Sequence, residues 1–364
     1  MYPFFRPILF RLDPERAHVL TLHILRITSA ISPARWLMQA LYTGPSKPVT
    51  AFGLNFENPV GLAAGYDKDA LAVRGLASLG FGHIEVGTVT PLPQFGNPKP
   101  RLFRLVEDEA IINRMGFPSR GSAFLQRRLN PGLSSNWIQD LFGLAGRGKN
   151  AQKRRRESLK GHAILGVNIG KNTATPNEQA VLDYLELLQS FVPLADYLSI
   201  NVSSPNSVGL RALQGREALE ALLTQLHAQR LMEQEKIKRQ LPLLVKLAPD
   251  LTDTELEDAV DVILRTHMDG IIVTNTTLAR DGLKSISQSE GGGLSGSPLR
   301  GRSEAMLQKT VRCVDGAIPI VSAGGIMGPE DAKRRLDMGA TLIQIYTGLV
   351  YRGPGLVKQI AKSL

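Results

Sequence analysis

The 364-residue chain is 43% hydrophobic and 21% charged, ordinary globular proportions, and carries a formal net charge of +10. Its single cysteine, Cys313, excludes a disulfide framework and a cysteine-ligated iron–sulfur cluster, and points to a reducing compartment. No apolar run reaches the roughly 18 residues of a membrane-spanning helix, and no cleavage site after a short apolar core predicts secretion.

The first 45 residues read as a helical segment. Leu12-Asp13-Pro14-Glu15 is a helix start, with Asp13 as N-cap and Pro14 at the first helical position. A helical pattern follows through Ala17, Leu20, Leu22, Ile24 and Leu25, and a second runs from Pro33 to Leu41. Tyr2-Pro3-Phe4-Phe5 and Ile8-Leu9-Phe10 precede them, and Arg6, Arg11, Arg16, Arg26 and Arg35 flank the apolar positions. Two short apolar helices with basic flanks either cap the main domain or lie in a membrane interface.

From about residue 58 short apolar runs alternate with amphipathic segments. The runs are Pro59–Ala64, His83–Val89, Ile164–Ile169, Tyr197–Val202, Leu243–Leu247, Gly270–Thr274, Ile318–Ala323 and Leu342–Tyr346. Helical patterns cover Ala70–Leu79, Glu178–Phe191, Glu217–Met232, Thr254–His267, Ser303–Val314, Glu330–Met338 and Leu356–Lys362. Near-continuous Val/Ile/Leu runs between helices imply parallel strands covered on both faces. Eight such units predict an α/β fold, a closed (β/α)₈ TIM barrel over 46–364 with a small N-terminal helical extension over 1–45. Cys313 falls in a predicted helix, the place of a structural thiol.

Residues 91–160 interrupt the alternation with hairpin-like Pro/Gly-rich pieces and a basic insertion at about 130–160. From Gly143 to Lys160 the chain places Arg147, Lys149, Lys153, Arg154, Arg155, Arg156 and Lys160 against Glu157 alone, more than half of its net charge. Such a block predicts a solvated loop, with contact to an anionic membrane surface as the second reading. No aromatic residues interleave with the charges, so nucleic acid is not an expected partner.

In a (β/α)₈ barrel the active site lies at the C-terminal strand ends. Here those ends read Ala63-Ala64-Gly65-Tyr66-Asp67-Lys68, Thr88, Asn168-Ile169-Gly170-Lys171-Asn172, Asn201-Val202-Ser203-Ser204-Pro205-Asn206, Lys246, Thr274-Asn275-Thr276-Thr277, Ala323-Gly324-Gly325 and Tyr346-Thr347-Gly348. Two lysines, several amides and hydroxyls converge without a histidine or carboxylate cluster. That pattern argues against a metal and for an anionic, hydrogen-bond-rich ligand such as a planar heterocycle with a carboxylate. Pro205 pushes Ser204 toward an extended conformation, holding its hydroxyl on a stiff backbone. Glycines after strands seven and eight occupy the usual phosphate position of such barrels, and Gly291-Gly292-Gly293-Leu294-Ser295-Gly296 adds a loop of close backbone approach. A phosphate-bearing cofactor beside Lys246 looks like flavin mononucleotide, because a cation stabilises the charge a flavin ring gains with a hydride.

Read together, Leu62-Ala63-Ala64-Gly65 with Asp67-Lys68, Glu85-Val86-Gly87-Thr88-Val89-Thr90-Pro91, Asn113-Arg114-Met115-Gly116-Phe117, Asn168-Ile169-Gly170-Lys171-Asn172, the Ser203–Asn206 cluster, Thr274–Thr277 and Gly293–Gly296 closely resemble the dihydroorotate dehydrogenases. Soluble members of that family use cysteine as the proton-abstracting residue, and quinone-reducing members use serine. Ser204 and the N-terminal helices therefore make the chain resemble the bacterial quinone-dependent class. That class is peripheral, on the cytoplasmic face of the inner membrane, and needs no partner subunit.

The resemblance implies roles residue by residue. Flavin mononucleotide is expected against Ala64, Gly65, Tyr66, Asp67, Lys68, Thr88, Asn168, Asn201, Lys246, Thr274, Gly296, Gly325, Tyr346 and Thr347. Dihydroorotate and its product orotate are expected against Lys68, Asn113, Arg114, Met115, Gly116, Phe117, Asn201, Asn206, Asn275 and Thr276. Ser204 takes a proton from C5 while a hydride leaves C6, and Phe117 closes over the substrate. Ubiquinone or menaquinone then receives the electrons through the N-terminal helices, with His18, Arg104 and Tyr346 at the polar end of its path. Tyr66 and Ser207-Val208 depart from the family pattern, as does the basic insertion. Dihydrouridine synthases offer a rival flavin barrel that binds transfer RNA, but they need a catalytic cysteine where this chain has Ser204.

Overall fold

A computed structural model of the chain describes residues 2–130 and 163–364. The basic stretch from Gly143 to Lys160, with its expected lipid contact, lies outside the described residues.

Three helices come first: α1 (Tyr2–Arg11), α2 (Pro14–Ala30) and α3 (Ser32–Tyr42). The Asp13 carboxylate accepts from the Arg16 N–H at 3.0 Å and caps α2, as its sequence predicts. The first helix is one more than the pattern suggested. Pro3 sits in its first turn, where no backbone donor is needed, while Pro7 lies inside the helix and removes one internal donor.

The hairpin of β1 (Val49–Ala51) and β2 (Leu54–Phe56) leads into β3 (Val60–Leu62) and β4 (His83–Val89). Next, β5 (Leu102–Leu105) and β6 (Ala110–Asn113) leave the barrel, and β7 (Ile164–Ile169), β8 (Tyr197–Asn201), β9 (Leu243–Leu247) and β10 (Gly270–Val273) rejoin it. After β11 (Gly293–Gly296), strands β12 (Ile320–Ala323) and β13 (Leu342–Ile345) complete the series. Strands β3, β4, β7, β8, β9, β10, β12 and β13 close in chain order into a parallel barrel. Each strand agrees with its apolar run to within two residues at either end. The (β/α)₈ expectation is therefore met.

Side chains alternate along each strand, so residues of one parity fill the interior. The lowest inward layer is apolar: Tyr197, Leu244, Ile272, Val321 and Leu342 pack on Phe56, which the β1–β2 hairpin inserts into the closed end. One layer higher the inward residues turn polar, with Glu85, Asn168, Ser199, Lys246 and Gln344 all buried. The outward residues pack against the surrounding helices in one continuous core. A capping box starts helix Asp253–Arg265, where Thr252 and Glu255 satisfy each other's backbone N–H groups.

Over the open end lies an antiparallel sheet in the order β11-β6-β5. It pairs Asn113 with Gly293 and Ala110 with Gly296, tying the excursion after β4 to the one after β10. Helices α1–α3 pack beside this end. The Tyr2 hydroxyl donates to the Val350 carbonyl, and Arg104 lies 4.2 Å from the centre of the Phe10 ring while donating to the Phe10 carbonyl. The outer faces of the three helices are apolar: Phe4, Ile8, Ile24, Ile27, Trp36 and Leu37 are exposed, Phe4 by 83% and Trp36 by 70%. Among the described residues, no helix is long and apolar enough to cross a membrane.

Candidate active site

A cavity at the open end holds about 1210 Å³ of empty space, the open solvent at its mouth included. Its floor is the polar inward layer. Glu85, fully buried, accepts from Asn168 Nδ2 at 2.9 Å, Tyr197 OH at 3.1 Å and Gln344 Nε2 at 2.9 Å. The Lys246 ammonium stands 3.8 Å from the same carboxylate and faces the cavity. Burial pulls the Lys246 pKa down, and Glu85 works against that shift.

The loop leaving β8 forms one wall. Asn201 Nδ2 donates to Thr88 Oγ1 at 3.0 Å and to Asn168 Oδ1 at 3.1 Å, which fixes the orientation of its amide. Its Oδ1 accepts from the Ser203 N–H at 3.3 Å. Ser204 Oγ accepts from the Asn206 N–H at 3.3 Å, which occupies one of its lone pairs. Asn206 Nδ2 in turn donates to Asn113 Oδ1 at 3.0 Å, and Asn275 Nδ2 donates to Ser203 Oγ at 3.0 Å. Asn113, Asn201, Asn206, Asn275 and Thr276 thus present an amide-rich wall around Ser204. Ser207 Oγ, just beyond, is buried with no hydrogen-bond partner among the described residues.

Backbone forms the opposite wall. Gly325 adopts φ +73°, and a Cβ there would lie 2.4 Å from the Arg300 Cα. A Cβ on Gly348 would lie 2.4 Å from the Ile326 carbonyl oxygen, and one on Gly296 would lie 2.3 Å from the Glu109 carbonyl oxygen. Only glycine fits these three positions, and a ligand there meets bare backbone. Thr347 Oγ1 donates to Ser295 Oγ at 2.8 Å, joining this wall to β11.

Lys68 enters from the β3 end. Burial pulls its pKa down to about 8, Asp69 opposes the shift and Arg101 adds to it. Met115, Gly116 and Phe117 cover the cavity. Gly116 and Phe117 both have positive φ, and Gln94 Nε2 donates to both of their carbonyls. On the side of the N-terminal helices, Glu15 and His18 reach the lining. Burial pushes the His18 pKa down to about 4, with Lys68 adding to the shift, so its ring is neutral at pH 7. Its ring lies edge-on to Tyr66 at 5.0 Å.

The lining includes Ala64, Gly65, Lys68, Thr88, Asn113, Met115, Gly116, Phe117, Asn201, Ser204, Asn206, Lys246, Thr274, Asn275, Thr276, Gly296, Gly325, Tyr346 and Thr347. Five other sequence-predicted residues lie outside that lining. Asn168 belongs to the floor layer without reaching the lining, and there it orders Thr88 and Asn201. Asp67 points away and accepts from the Leu71 and Ala72 N–H groups at 2.7 and 2.8 Å. Tyr66 packs between His18 and Tyr346. Arg114 pairs with Glu290 at 2.6 Å and stacks on Phe103. Arg104, expected on a quinone path, instead supports Phe10. Arg101 approaches that region, paired with Glu15 at 2.8 Å. Sequence reading missed Glu85 as the hub of the floor. The signal was present: one acid on β4 and one base on β9, each alone in a buried strand.

The family model described as "Dihydroorotate dehydrogenase" matches residues 47–364. The chain is 45% identical over its whole length to the dihydroorotate dehydrogenase (quinone) of Idiomarina loihiensis, all of which is covered. It is 42% identical, also over its whole length, to the enzyme of that name from Halorhodospira halophila, of which 97% is covered. Among solved structures it is similar to DHODH from Eimeria tenella in complex with ferulenol, with a TM-score of 0.80 and 38% identity over 96% of this chain and 90% of that one. With the eight-stranded barrel, the serine between its amides and full-length relatives of one name, the chain belongs to the quinone-dependent dihydroorotate dehydrogenases, a family of oxidoreductases.

Proposed function

We propose that this chain oxidises (S)-dihydroorotate to orotate with flavin mononucleotide as the hydride acceptor and a membrane quinone, ubiquinone or menaquinone, as the final oxidant. The observation that carries the reading is the convergence of Ser204, an amide wall, two lysines and a side-chain-free glycine wall on one cavity. The glycine wall suits a phosphate, since Gly296, Gly325 and Gly348 leave space only for backbone. Lys246, with Glu85 behind it, suits the electron-rich edge of a flavin ring, and Ala64, Gly65, Thr88, Asn201, Thr274, Tyr346 and Thr347 would complete that holding site. Bound there, the flavin supplies a two-electron acceptor for hydride.

The residues of the chain do the rest. Lys68 answers the substrate carboxylate, and Asn113, Asn206, Asn275 and Thr276 match the donors and acceptors of its ring. Ser204 Oγ takes the proton from C5. The Asn206 N–H already donates to that oxygen and occupies one of its lone pairs, leaving the other for the substrate. Ser207, buried and unpartnered, is the group we assign to the onward proton path. Phe117 and Met115 exclude water from above.

For the quinone, the apolar outer faces of α1–α3 would lie in the membrane interface and His18 and Tyr346 would line the path inward. Residues 1–45 are then the quinone-access segment and 46–364 the flavin barrel, peripheral on the inner membrane. The decisive experiment is anaerobic titration of the purified protein with dihydroorotate. A yellow protein that bleaches, and a Ser204→Ala variant that stays yellow but bleaches orders of magnitude more slowly, are expected. A colourless protein that cannot be reconstituted with flavin mononucleotide overturns the reading.

A further inference from the structure

Arg211 belongs to the short 3₁₀ helix Leu210–Gln214 that follows the serine loop. Its guanidinium serves three separate loops. Nε donates to the Ser203 carbonyl at 3.1 Å, Nη2 to the Thr276 carbonyl at 2.9 Å, and Nη1 pairs with Asp250 at 2.8 Å. Ser203 lies on the loop leaving β8, Asp250 on the loop leaving β9, and Thr276 on the loop leaving β10. Asp250 also accepts from the Thr277 hydroxyl and, at 3.2 Å, from the Leu278 N–H. One turn along the same helix, Gln214 accepts from the Ala248 N–H at 2.9 Å.

A peptide unit is planar, so the Ser203 carbonyl and the Ser204 N–H turn together. Holding that carbonyl sets the direction in which the Ser204 side chain leaves the backbone. The Thr276 carbonyl is held by the same planar group, and Asn275 beside it donates to Ser203 Oγ. A planar fork spreads its donors over three nitrogens and so reaches two carbonyls and a carboxylate on three loops, whereas the three donors of an ammonium radiate from one nitrogen. Arg211 itself is absent from the cavity lining, so it acts on the site through the loops it holds.

Building on the assignment of Ser204 as the base, we infer that Arg211 is a positioning residue for proton abstraction, setting the register between Ser204 and the amide wall of Asn275 and Thr276. Misplacement of a reacting group by about 1 Å costs on the order of 100-fold in rate, and that is the loss expected without the fork.

The test is anaerobic stopped-flow reduction of the full-length holoenzyme by dihydroorotate, comparing wild type with Arg211→Met, Arg211→Lys, Asp250→Asn and Arg211→Met/Asp250→Asn. Flavin content and the spectral shift on binding orotate should stay within about twofold of wild type. Reduction should slow about 100-fold in both Arg211 variants. Deuterium at C5 should slow the variants more than wild type, because proton removal then limits the step; a purely structural role would not change that isotope effect. The double variant should be no slower than Arg211→Met, since both changes release the same clamp. Reduction within threefold of wild type, or recovery of the rate by lysine, overturns the inference. Should the Arg211 variants lose flavin, Asp250→Asn decides: slowed reduction with an enlarged isotope effect supports the clamp, and a wild-type rate sinks it. Wild type unreduced by dihydroorotate refutes the base assignment, and this inference falls with it.

Discussion

Lys246 and Glu85 face each other at 3.8 Å inside the barrel, the lysine at the cavity floor and the carboxylate fully buried behind it. Three neutral donors, from Asn168, Tyr197 and Gln344, complete the shell of Glu85. Burial draws the Lys246 pKa down, and the Glu85 carboxylate opposes that shift and so favours the charged form of the amine.

Replacing Glu85 with Gln leaves Lys246 buried without its counter-charge. Losing one partner of a buried pair costs about 3–5 kcal/mol. Urea unfolding of Glu85→Gln should show a loss toward the lower end of that range, since Lys246 borders a cavity. Glu85→Gln with Lys246→Met should recover most of it; a double variant as unstable as the single would show that the ion pair is not the reason.

Lys68 gives substrate binding a pH dependence of definite sign. With its pKa pulled down to about 8, the free protein presents a cation below that pH and a neutral amine above it. Orotate affinity should be flat from pH 6 to about 8, then fall by up to about tenfold per unit. Lys68→Met should bind weakly with no such break. Affinity that rises above pH 8, measured by the flavin spectral shift, contradicts the assignment.

Gly325→Ala places a Cβ 2.4 Å from the Arg300 Cα at a φ of +73°. Backbone strain follows, and relief of the clash must shift either the Arg300 backbone or the proposed phosphate cradle. Flavin retention on gel filtration should drop at least about tenfold, the scale of one or two lost hydrogen bonds to an anion. Gly282→Ala, with φ +72° but nothing within 4 Å, is the control for strain alone. Equal flavin loss in the two would place the effect outside the cradle.

Trp36 and Phe4 stand exposed on α3 and α1. Charging that face with Trp36→Glu and Phe4→Glu should weaken sedimentation with anionic vesicles by at least about tenfold, through lost apolar burial and added repulsion. Reduction by dihydroorotate should be untouched. Vesicle binding equal to wild type would mean that the helices meet something other than lipid.

Local pattern carried most of the fold. Val/Ile/Leu runs between amphipathic segments mark the barrel strands because a parallel strand covered on both faces has no polar side to show. The helix start at Asp13-Pro14 was legible for the same local reason: its cap and its partner are three residues apart. The β5–β6 hairpin falls in the stretch the sequence marks as hairpin-like, but the addition of β11 to it was not legible. Its register joins Asn113 to Gly293, and no short-range pattern announces a pairing across so much chain.

At the site, the strand-end rule places Ser204, Lys68, Lys246 and the amides together from sequence alone, since (β/α)₈ closure sends every strand's C-terminus to one face. Tyr66, Asp67 and Arg114 are adjacent in sequence to lining residues, yet their side chains turn elsewhere, a choice made by loop packing and not by order in the chain. Residue types and their spacing along one chain thus determined the barrel, its open end and the chemistry gathered there. Which side chains face inward from the loops, which carboxylate balances Lys246 and how Arg211 spans three loops were decided only in three dimensions, because charges and donors find partners by distance in space.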